Sequence, residues 1–273
     1  MRLYRVAEGW AREESGELAV LDIGAHDTFP DVTEAATALV RSRLPLDETP
    51  LLAPVRTNGS IILVGANYRS HIQEAGLRPP TRVAGLPLTA TTATGPDSMI
   101  VLPAEAPGQV DYEGEVAVVI GADAQSIPSG RGWDSIAGIC AANDVSARDV
   151  QLSGMRDGAV VDLAAIKRGK GFPTFKPMGP CLVTADEVRD VSSLSLRTWV
   201  NGELRQEATT AELLFALDEV VEGVSARVHL HPGDVILTGT PAGVGLSTGR
   251  YLTIGDVVEV EVQQVGRIRN PCR

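Results

Sequence analysis

Asp111-Tyr112-Glu113-Gly114-Glu115-Val116-Ala117-Val118-Val119-Ile120 joins an acidic opening to an unbroken apolar run. Residues two apart on a β-strand share a face, so Asp111, Glu113 and Glu115 point the same way. Ala117 and Val119 continue that face, while Val116, Val118 and Ile120 line the other. A strand apolar on both sides is one buried inside a sheet. Carboxylates pressed against such a strand repel each other and lose hydration unless a cation or hydrogen bonds compensate. A Glu-x-Glu pair alone is more often a solvated strand end. Its buried continuation here favours a site for a hard cation, Mg²⁺ or Mn²⁺ with Ca²⁺ as a further option, still short of a third oxygen ligand.

The third carboxylate comes from a second small, apolar stretch, Ile136-Ala137-Gly138-Ile139-Cys140-Ala141-Ala142, which reads as another buried strand with Asn143-Asp144 at its end. Asp144 there either caps a following turn that begins near Ser146 or completes a shell with Glu113 and Glu115; residue type alone does not choose. Arg148, four residues on, suits a substrate carboxylate through bidentate hydrogen bonds, or else an ion pair with Asp149 or Asp144.

Upstream, Ser60-Ile61-Ile62-Leu63-Val64 reads as a buried strand, followed by the polar, Gly-flanked stretch 65–76. A helix there sets His71 and Glu74 on one face. A carboxylate beside an imidazole suits a base acting on water, and the segment could move as a lid; an exposed salt pair is the commoner meaning. Residues 77–108, rich in Pro, Thr and Gly, read as extended loop, and 164–184 as a second loop leading into the strand Cys181-Leu182-Val183-Thr184. Four positive charges in that second loop read as solvated, with Lys170, between two glycines, the one able to reach inward.

Residues 1–55 form a small N-terminal unit: loosely alternating strands, then a helix from Val32 to Arg43 capped by Asp31 or Thr33. Pro45, Pro50 and Pro54 mark its end, and residues 56–273 form the main domain. Late in the chain, Leu196-Arg197-Thr198-Trp199-Val200, Asn201-Gly202 and Glu203-Leu204-Arg205-Gln206 predict a hairpin with a type I′ turn. Thr209 or Thr210 then caps a helix containing Leu213, Leu214, Leu217, Val220 and Val221. The loop Gly239-Thr240-Pro241-Ala242-Gly243-Val244-Gly245 is neither a phosphate loop nor a dinucleotide fingerprint, though its amides and the hydroxyls of Thr238 and Thr240 suit an oxyanion.

The net charge of −11 argues against nucleic acid and anionic membrane as partners. No stretch approaches the 18 apolar residues of a membrane span, and Met1–Arg5 lacks a signal-peptide core, so a soluble cytoplasmic protein is expected. Cys140, Cys181 and Cys272 are odd in number and far apart, and read as buried side chains rather than disulfides or zinc ligands.

Over about residues 55–270 the chain resembles the fumarylacetoacetate hydrolase family. The motifs are Val64-Gly65-Ala66-Asn67-Tyr68-x-x-His71-x-x-Glu74, Asp111-Tyr112-Glu113-x-Glu115, Asn143-Asp144-Val145-Ser146-Ala147-Arg148-Asp149, Gly169-Lys170-x-Phe172, Gly179-Pro180, Pro232-Gly233-Asp234 and Thr238-Gly239-Thr240-Pro241-x-Gly243-Val244-Gly245. The resemblance implies a mainly β fold with a few helices around a rolled mixed sheet, a homodimer, and divalent-metal chemistry on small keto acids. It implies Glu113, Glu115 and Asp144 as metal ligands and His71 with Glu74 as a water-activating lid dyad. It further implies Arg148 and Gln151 at the substrate carboxylate, Lys170 beside the metal and Thr240 at the site. Two positions depart from the family: Leu88 stands where a lysine is usual, and Pro173 where an aspartate is usual. Hydrolysis of a C–C bond in an acylpyruvate-like or β-diketo acid is the first expectation. Decarboxylation, enol–keto isomerisation or a repurposed cyclase-like activity are the alternatives, with a non-catalytic binding protein last. Leu88 is expected to form an apolar wall of the substrate pocket.

Overall fold

The computed structural model describes the chain except residues 25–27, 57 and 157–158, together with the side chain of residue 159. Its strands are β1 (Arg2–Val6), β2 (Gly9–Glu14), β3 (Glu17–Leu21), β4 (Val40–Pro45), β5 (Ser60–Val64), β6 (Gly85–Thr89), β7 (Gly114–Ile120), β8 (Ile136–Asn143), β9 (Lys176–Thr184), β10 (Ser195–Val200), β11 (Glu203–Thr209), β12 (Val235–Leu237), β13 (Val257–Val262) and β14 (Gly266–Pro271), besides two-residue pairings. The α-helices among the described residues are α1 (Val32–Thr37), α2 (Arg69–Glu74), α3 (Arg148–Ser153), α4 (Leu163–Lys170), α5 (Leu217–Ser225) and a short α6 (Gly245–Thr248), of which α2, α3 and α4 carry residues of the site.

The protein is mainly β. The large sheet runs β4-β3-β2-β1-β9-β8-β7-β12-β5-β6 and is mixed: β12 pairs with β5 in parallel and with β7 antiparallel. A second sheet, β11-β10-β13-β14, packs against it. As its two apolar faces require, β7 lies in the middle of the large sheet. Val116, Val118 and Ile120 join one core cluster, which also holds Leu196, Val258 and Val260 of the second sheet. Ala117 and Val119 join the other, with Leu3, Leu63 and Met178. Among the described residues no helix is long and apolar enough to cross a membrane.

The N-terminal strands are an extension of the large sheet, since β1 pairs with β9. The helix expected over Val32–Arg43 stops at Thr37, and Val40–Pro45 pairs with β3 instead, Leu18 opposite Leu44 and Val20 opposite Ser42. Strand pairing there overrides a helical pattern too short to sustain itself. Residues 77–108 are likewise not all loop, because β6 pairs with β5. Pro87 is tolerated in β6 because that strand is the sheet's edge, where a missing N–H breaks no further ladder.

The 164–184 loop is corrected too, into α4 and a β9 that starts at Lys176. Asp162 caps α4, accepting hydrogen bonds from the amides of Ala164 (2.9 Å) and Ala165 (3.2 Å). The helix expected after Thr209 is split. Thr209 and Glu212 form a capping box around a single 3₁₀ turn at Thr210–Glu212, and α5 starts separately at Leu217. The β10–β11 hairpin turns at Asn201 and Gly202 with φ of 54° and 79°, the pair of positive values that a type I′ turn needs.

Candidate active site

The β7–β8 pairing sets Glu115 opposite Ala142 and Gly114 opposite Asn143, so the next pair along is Glu113 and Asp144. The backbone seals that end: the Asp144 amide donates to the Glu113 carbonyl (2.8 Å), and the Glu113 amide to Asn143 Oδ1 (2.9 Å). Glu113, Glu115 and Asp144 are buried, and one carboxylate oxygen of each lies within 4.8 Å of the others. Gly114 between them lets β10 close in. A Cβ at that position would stand 2.0 Å from Thr198 Oγ1.

Two lysines meet this group. Lys170 Nζ donates to Glu113 and to Asp144 Oδ2, the latter at 2.7 Å. Gly169 makes the approach possible, because a Cβ there would lie 2.7 Å from the Gln151 backbone nitrogen and α4 could not pack against α3 so closely. Lys176, fully buried, donates to the carbonyls of Val145 (3.1 Å), Lys170 (2.5 Å) and Phe175 (3.1 Å). Its Nζ is also 2.9 Å from Asp144 Oδ1, yet that oxygen accepts no hydrogen bond. Local sequence gave no sign of Lys176, since its charge reads as solvent-facing. Its place at the start of β9, opposite Ala93 in a short parallel pairing, carries it inside.

Arg148 is turned toward neither Asp149 nor Asp144. Its Nε donates to Asp111 Oδ2 (2.8 Å), Nη2 to Glu113 Oε1 (2.5 Å) and Nη1 to Gln151 Oε1 (2.8 Å). Asp111 in turn accepts from the amides of Gly245 (2.6 Å) and Leu246 (2.9 Å), which ties the Gly-rich loop to the same network. The electrostatics split the two glutamates. For Glu113, burial raises the pKa, but Arg148, Lys170 and His71 outweigh it and hold the carboxyl well below its usual range. For Glu115, burial acts together with the neighbouring Asp144 and Glu113, pushing it well above that range despite a 2.7 Å hydrogen bond from the Gly239 amide. Burial lowers the pKa of Lys176; for Lys170 burial is overcome by Asp144 and Glu113, and its pKa rises.

His71 Nδ1 stands 3.7 Å from Glu74 Oε2 on α2, and forms no hydrogen bond among the described residues. Glu74 is held by the Gly243 amide (3.0 and 3.2 Å). Gly243 needs to be glycine there: its φ is +103°, and a Cβ would stand 2.0 Å from the Arg205 carbonyl. Asn67 anchors the lead-in to α2 by donating to the Thr238 carbonyl (2.9 Å). Thr240 Oγ1 donates to the Gly114 carbonyl (3.0 Å) and accepts from Gln206 Nε2 (2.8 Å), and Thr238 Oγ1 donates to Val116 O (2.8 Å). Both hydroxyl protons are therefore committed to the protein, and the oxyanion role expected of them is not available in this arrangement.

A cavity of about 530 Å³ opens over these groups, with Glu113, Glu115, Asp144, Arg148, Gln151, Lys170, His71 and Thr240 in its wall. The rest of the wall is largely apolar, including Leu63, Leu86, Leu163 and Ile166. Leu88 is a correction: it is not among the lining residues and instead packs against the core beneath β6, while Leu86, two residues earlier on the same strand face, lines the cavity. A cavity of about 630 Å³ by Trp133, Val191 and Leu217 is larger, but among the described residues its wall has acidic side chains and no cationic one, whereas the three carboxylates, Arg148 and Lys170 all line the smaller cavity. The donor set fits a hard dication. Three carboxylates converge, and Asp144 Oδ1, though 2.9 Å from the Lys176 ammonium, is a buried acceptor with no hydrogen bond among the described residues.

The family model described as fumarylacetoacetate (FAA) hydrolase C-terminal matches residues 60–273. The chain belongs to this family, and is an enzyme of its superfamily. It is 38% identical over 246 residues to the mitochondrial oxaloacetate tautomerase Fahd2a of Rattus norvegicus, covering 89% of this chain and 76% of the relative. The crystal structure of 5-carboxymethyl-2-hydroxymuconate delta-isomerase from Mycobacterium smegmatis superposes with a TM-score of 0.79 at 34% identity, over 100% of this chain and 99% of that one. That of 2-hydroxyhepta-2,4-diene-1,7-dioate isomerase from Mycobacterium marinum gives a TM-score of 0.78 at 32% identity, over 100% and 98%.

Proposed function

We propose that this enzyme moves a proton between the keto and enol forms of a small 2-oxo acid, with a divalent cation held by Glu113, Glu115 and Asp144. The observation that carries the reading is the buried carboxylate trio, facing a cavity whose wall also includes His71. The three relatives just named are a tautomerase and two isomerases, which favours proton transfer over the C–C hydrolysis expected first.

Formal charge supports an anionic substrate. Asp111, Glu113, Glu115 and Asp144 face Arg148, Lys170 and Lys176, which leaves one net negative charge. A bound dication reverses that sign and supplies Lewis-acid polarisation of the substrate's carbonyl oxygen. Arg148 Nη1 donates to Gln151 and has one further N–H with which to meet a carboxylate in the cavity. Lys170, its ammonium form favoured by two carboxylates, is a charge-balancing group rather than a base. His71 takes the proton from the carbon beside the carbonyl and delivers it to the enolate oxygen, giving the enol, and ketonisation runs the same transfer in reverse. The apolar wall suits a hydrocarbon tail.

Following enol absorbance with Mg²⁺ present, alongside proton NMR in D₂O, tests this reading. The enzyme is expected to accelerate ketonisation and deuterium exchange beside the carbonyl while leaving the carbon skeleton intact, and His71→Ala is expected to lower the rate by about 10²–10⁴-fold with metal affinity nearly unchanged. Appearance of a pyruvate fragment at the same rate as enol loss makes the enzyme a C–C hydrolase instead.

A further inference from the structure

The chain carries a second constellation of metal-ligating side chains, on the surface and apart from the cavity. Ala124 and Leu230 form an isolated antiparallel bridge, each amide donating to the other's carbonyl (2.9 and 3.0 Å). Both side chains of that pair are buried. Antiparallel register then sets Asp123 opposite His231, and strand alternation turns both outward, together with His229. All three are exposed, and one ligand atom of each lies within 4.8 Å of the others. The imidazole rings of His229 and His231 are 4.4 Å apart between centroids, and His229 Nε2 is 3.5 Å from Asp123 Oδ1.

We infer that Asp123, His229 and His231 form a site for a late first-row dication of the Zn²⁺ class. Ligands about 2.0–2.1 Å from a tetrahedral ion stand roughly 3.3–3.4 Å apart, close to the His229–Asp123 separation. The remaining gaps are ones that exposed side chains close by rotation. A second feature points to a ligand as well. His231 Nδ1 is 3.6 Å from Oδ2 of the buried Asp234, which also accepts the His231 amide at 2.9 Å. A small rotation of the ring would bring Nδ1 within hydrogen-bond reach of that carboxylate, which would hold the proton on Nδ1 and leave Nε2 as the ligand. Two nitrogens and one oxygen select Zn²⁺, Ni²⁺ or Cu²⁺, whereas the all-oxygen group in the cavity suits Mg²⁺ or Mn²⁺. The two sites are chemically separate. An ion here also ties the segment that follows β7 to the turn that precedes β12, and these neighbouring strands carry Glu115 and lead to Gly239 in the cavity.

The test is a calorimetric titration of Zn²⁺ into the full chain with Mg²⁺ in large excess to occupy the carboxylate group. The comparison is the double variant His229→Ala with His231→Ala, whose changes lie on the exposed face and leave Mg²⁺-supported activity unchanged. Wild type is expected to bind one more Zn²⁺ per chain than the double variant, to show the His229 and His231 ring resonances shifting together by NMR, and to gain melting temperature that the variant does not gain. Equal stoichiometry in the two proteins, or Zn²⁺ binding that leaves those resonances in place, overturns the assignment.

Discussion

Lys176 Nζ and Asp144 Oδ1 stand 2.9 Å apart, with the lysine side chain wholly shut off from solvent and the aspartate nearly so. A buried ammonium is held only where nearby charge and acceptors offset its lost hydration, and Lys176 has one carboxylate and three carbonyls for that. Lys176→Met leaves the acidic cluster short of one cation. Breaking one side of a buried pair costs about 3–5 kcal/mol, which for a chain of this size is on the order of 10 °C in melting temperature. Added Mg²⁺ is expected to return more of that loss to the variant than it adds to wild type, because the dication supplies charge that the lysine no longer does. A variant as stable as wild type without Mg²⁺ shows that the lysine is dispensable.

Glu115 gives a pH signature. Its carboxyl is held above the usual range by burial and by the neighbouring Asp144 and Glu113. A group with a raised folded-state pKa contributes stability that is complete below its unfolded pKa and lost as pH rises through the folded one. In chelator, wild type is therefore expected to lose stability relative to Glu115→Gln as pH rises out of the ordinary carboxylate range, and Mg²⁺ to remove the difference. Parallel melting curves for the two proteins at every pH in chelator contradict this.

Glu115→Ala removes one of the three converging carboxylates outright. Calorimetry with Mg²⁺ and Mn²⁺ is expected to show binding in wild type and none at comparable concentrations in the variant. Wild-type affinity in the variant sends the metal elsewhere.

The Glu113–Glu115 side of the site could be read from the sequence because strand alternation is local: two residues on, the same face returns. Asp144 could be nominated but not placed. What brings it to Glu113 is the pairing of residues 114–120 with 136–143, a tertiary register that no local pattern encodes. Lys176 was illegible for a related reason. It is followed by Pro177, in a stretch of glycines and prolines that reads as loop, and its place at the start of β9, opposite Ala93, buries it. Leu86 and Leu88 share a face of β6, and which of them reaches the cavity is set by the β5 register, with Leu63 of the cavity wall opposite Leu86 and Ile61 opposite Leu88, a pairing that no local pattern encodes. The expected helix overruns because residues 38–43 hold no glycine or proline to stop it, while Val40, Ser42 and Leu44 follow the two-residue spacing of a strand beside β3.

The three cysteines are free and buried. Burial pushes the Cys181 thiol up to about 11 and the Cys272 thiol up to about 12, and raises Cys140 also. At pH 8 a thiol with a pKa near 11 is thiolate in roughly one molecule in a thousand, and thiolate is the reactive form. An aromatic disulfide reagent is expected to leave the native protein almost untouched and to titrate three thiols in denaturant. Because these pKa values are raised in the folded state, the same groups favour folding below the ordinary thiol range and cease to do so as pH rises through their folded values. One thiol that reacts at once in native protein shows an accessible cysteine.

The last prediction concerns Leu86, opposite Leu63 in the β5–β6 ladder and in the cavity wall. Arg148 and Lys170, the lysine and arginine side chains of that wall, are both already engaged with Asp111, Glu113 and Asp144. A substrate with one carboxylate and an apolar tail can place its head among the polar groups and its tail against Leu63, Leu86, Leu163 and Ile166. A second carboxylate at the tail end meets hydrocarbon and loses its hydration there. Wild type is therefore expected to show the higher kcat/KM for a monocarboxylate 2-oxo acid with an alkyl tail than for the dicarboxylate of equal length. Leu86→Lys puts an ammonium on the edge strand, where its flexible stem can keep the charge near water. One ionic hydrogen bond is worth about 1.5–3 kcal/mol, so the substitution should move the dicarboxylate-to-monocarboxylate ratio of kcat/KM up by roughly ten- to a hundredfold. Leu88→Lys, on the same strand but outside the cavity wall, serves as the control and should leave the ratio where it was. A wild-type preference for the dicarboxylate, or an equal shift from both substitutions, would remove Leu86 from the determinants of specificity.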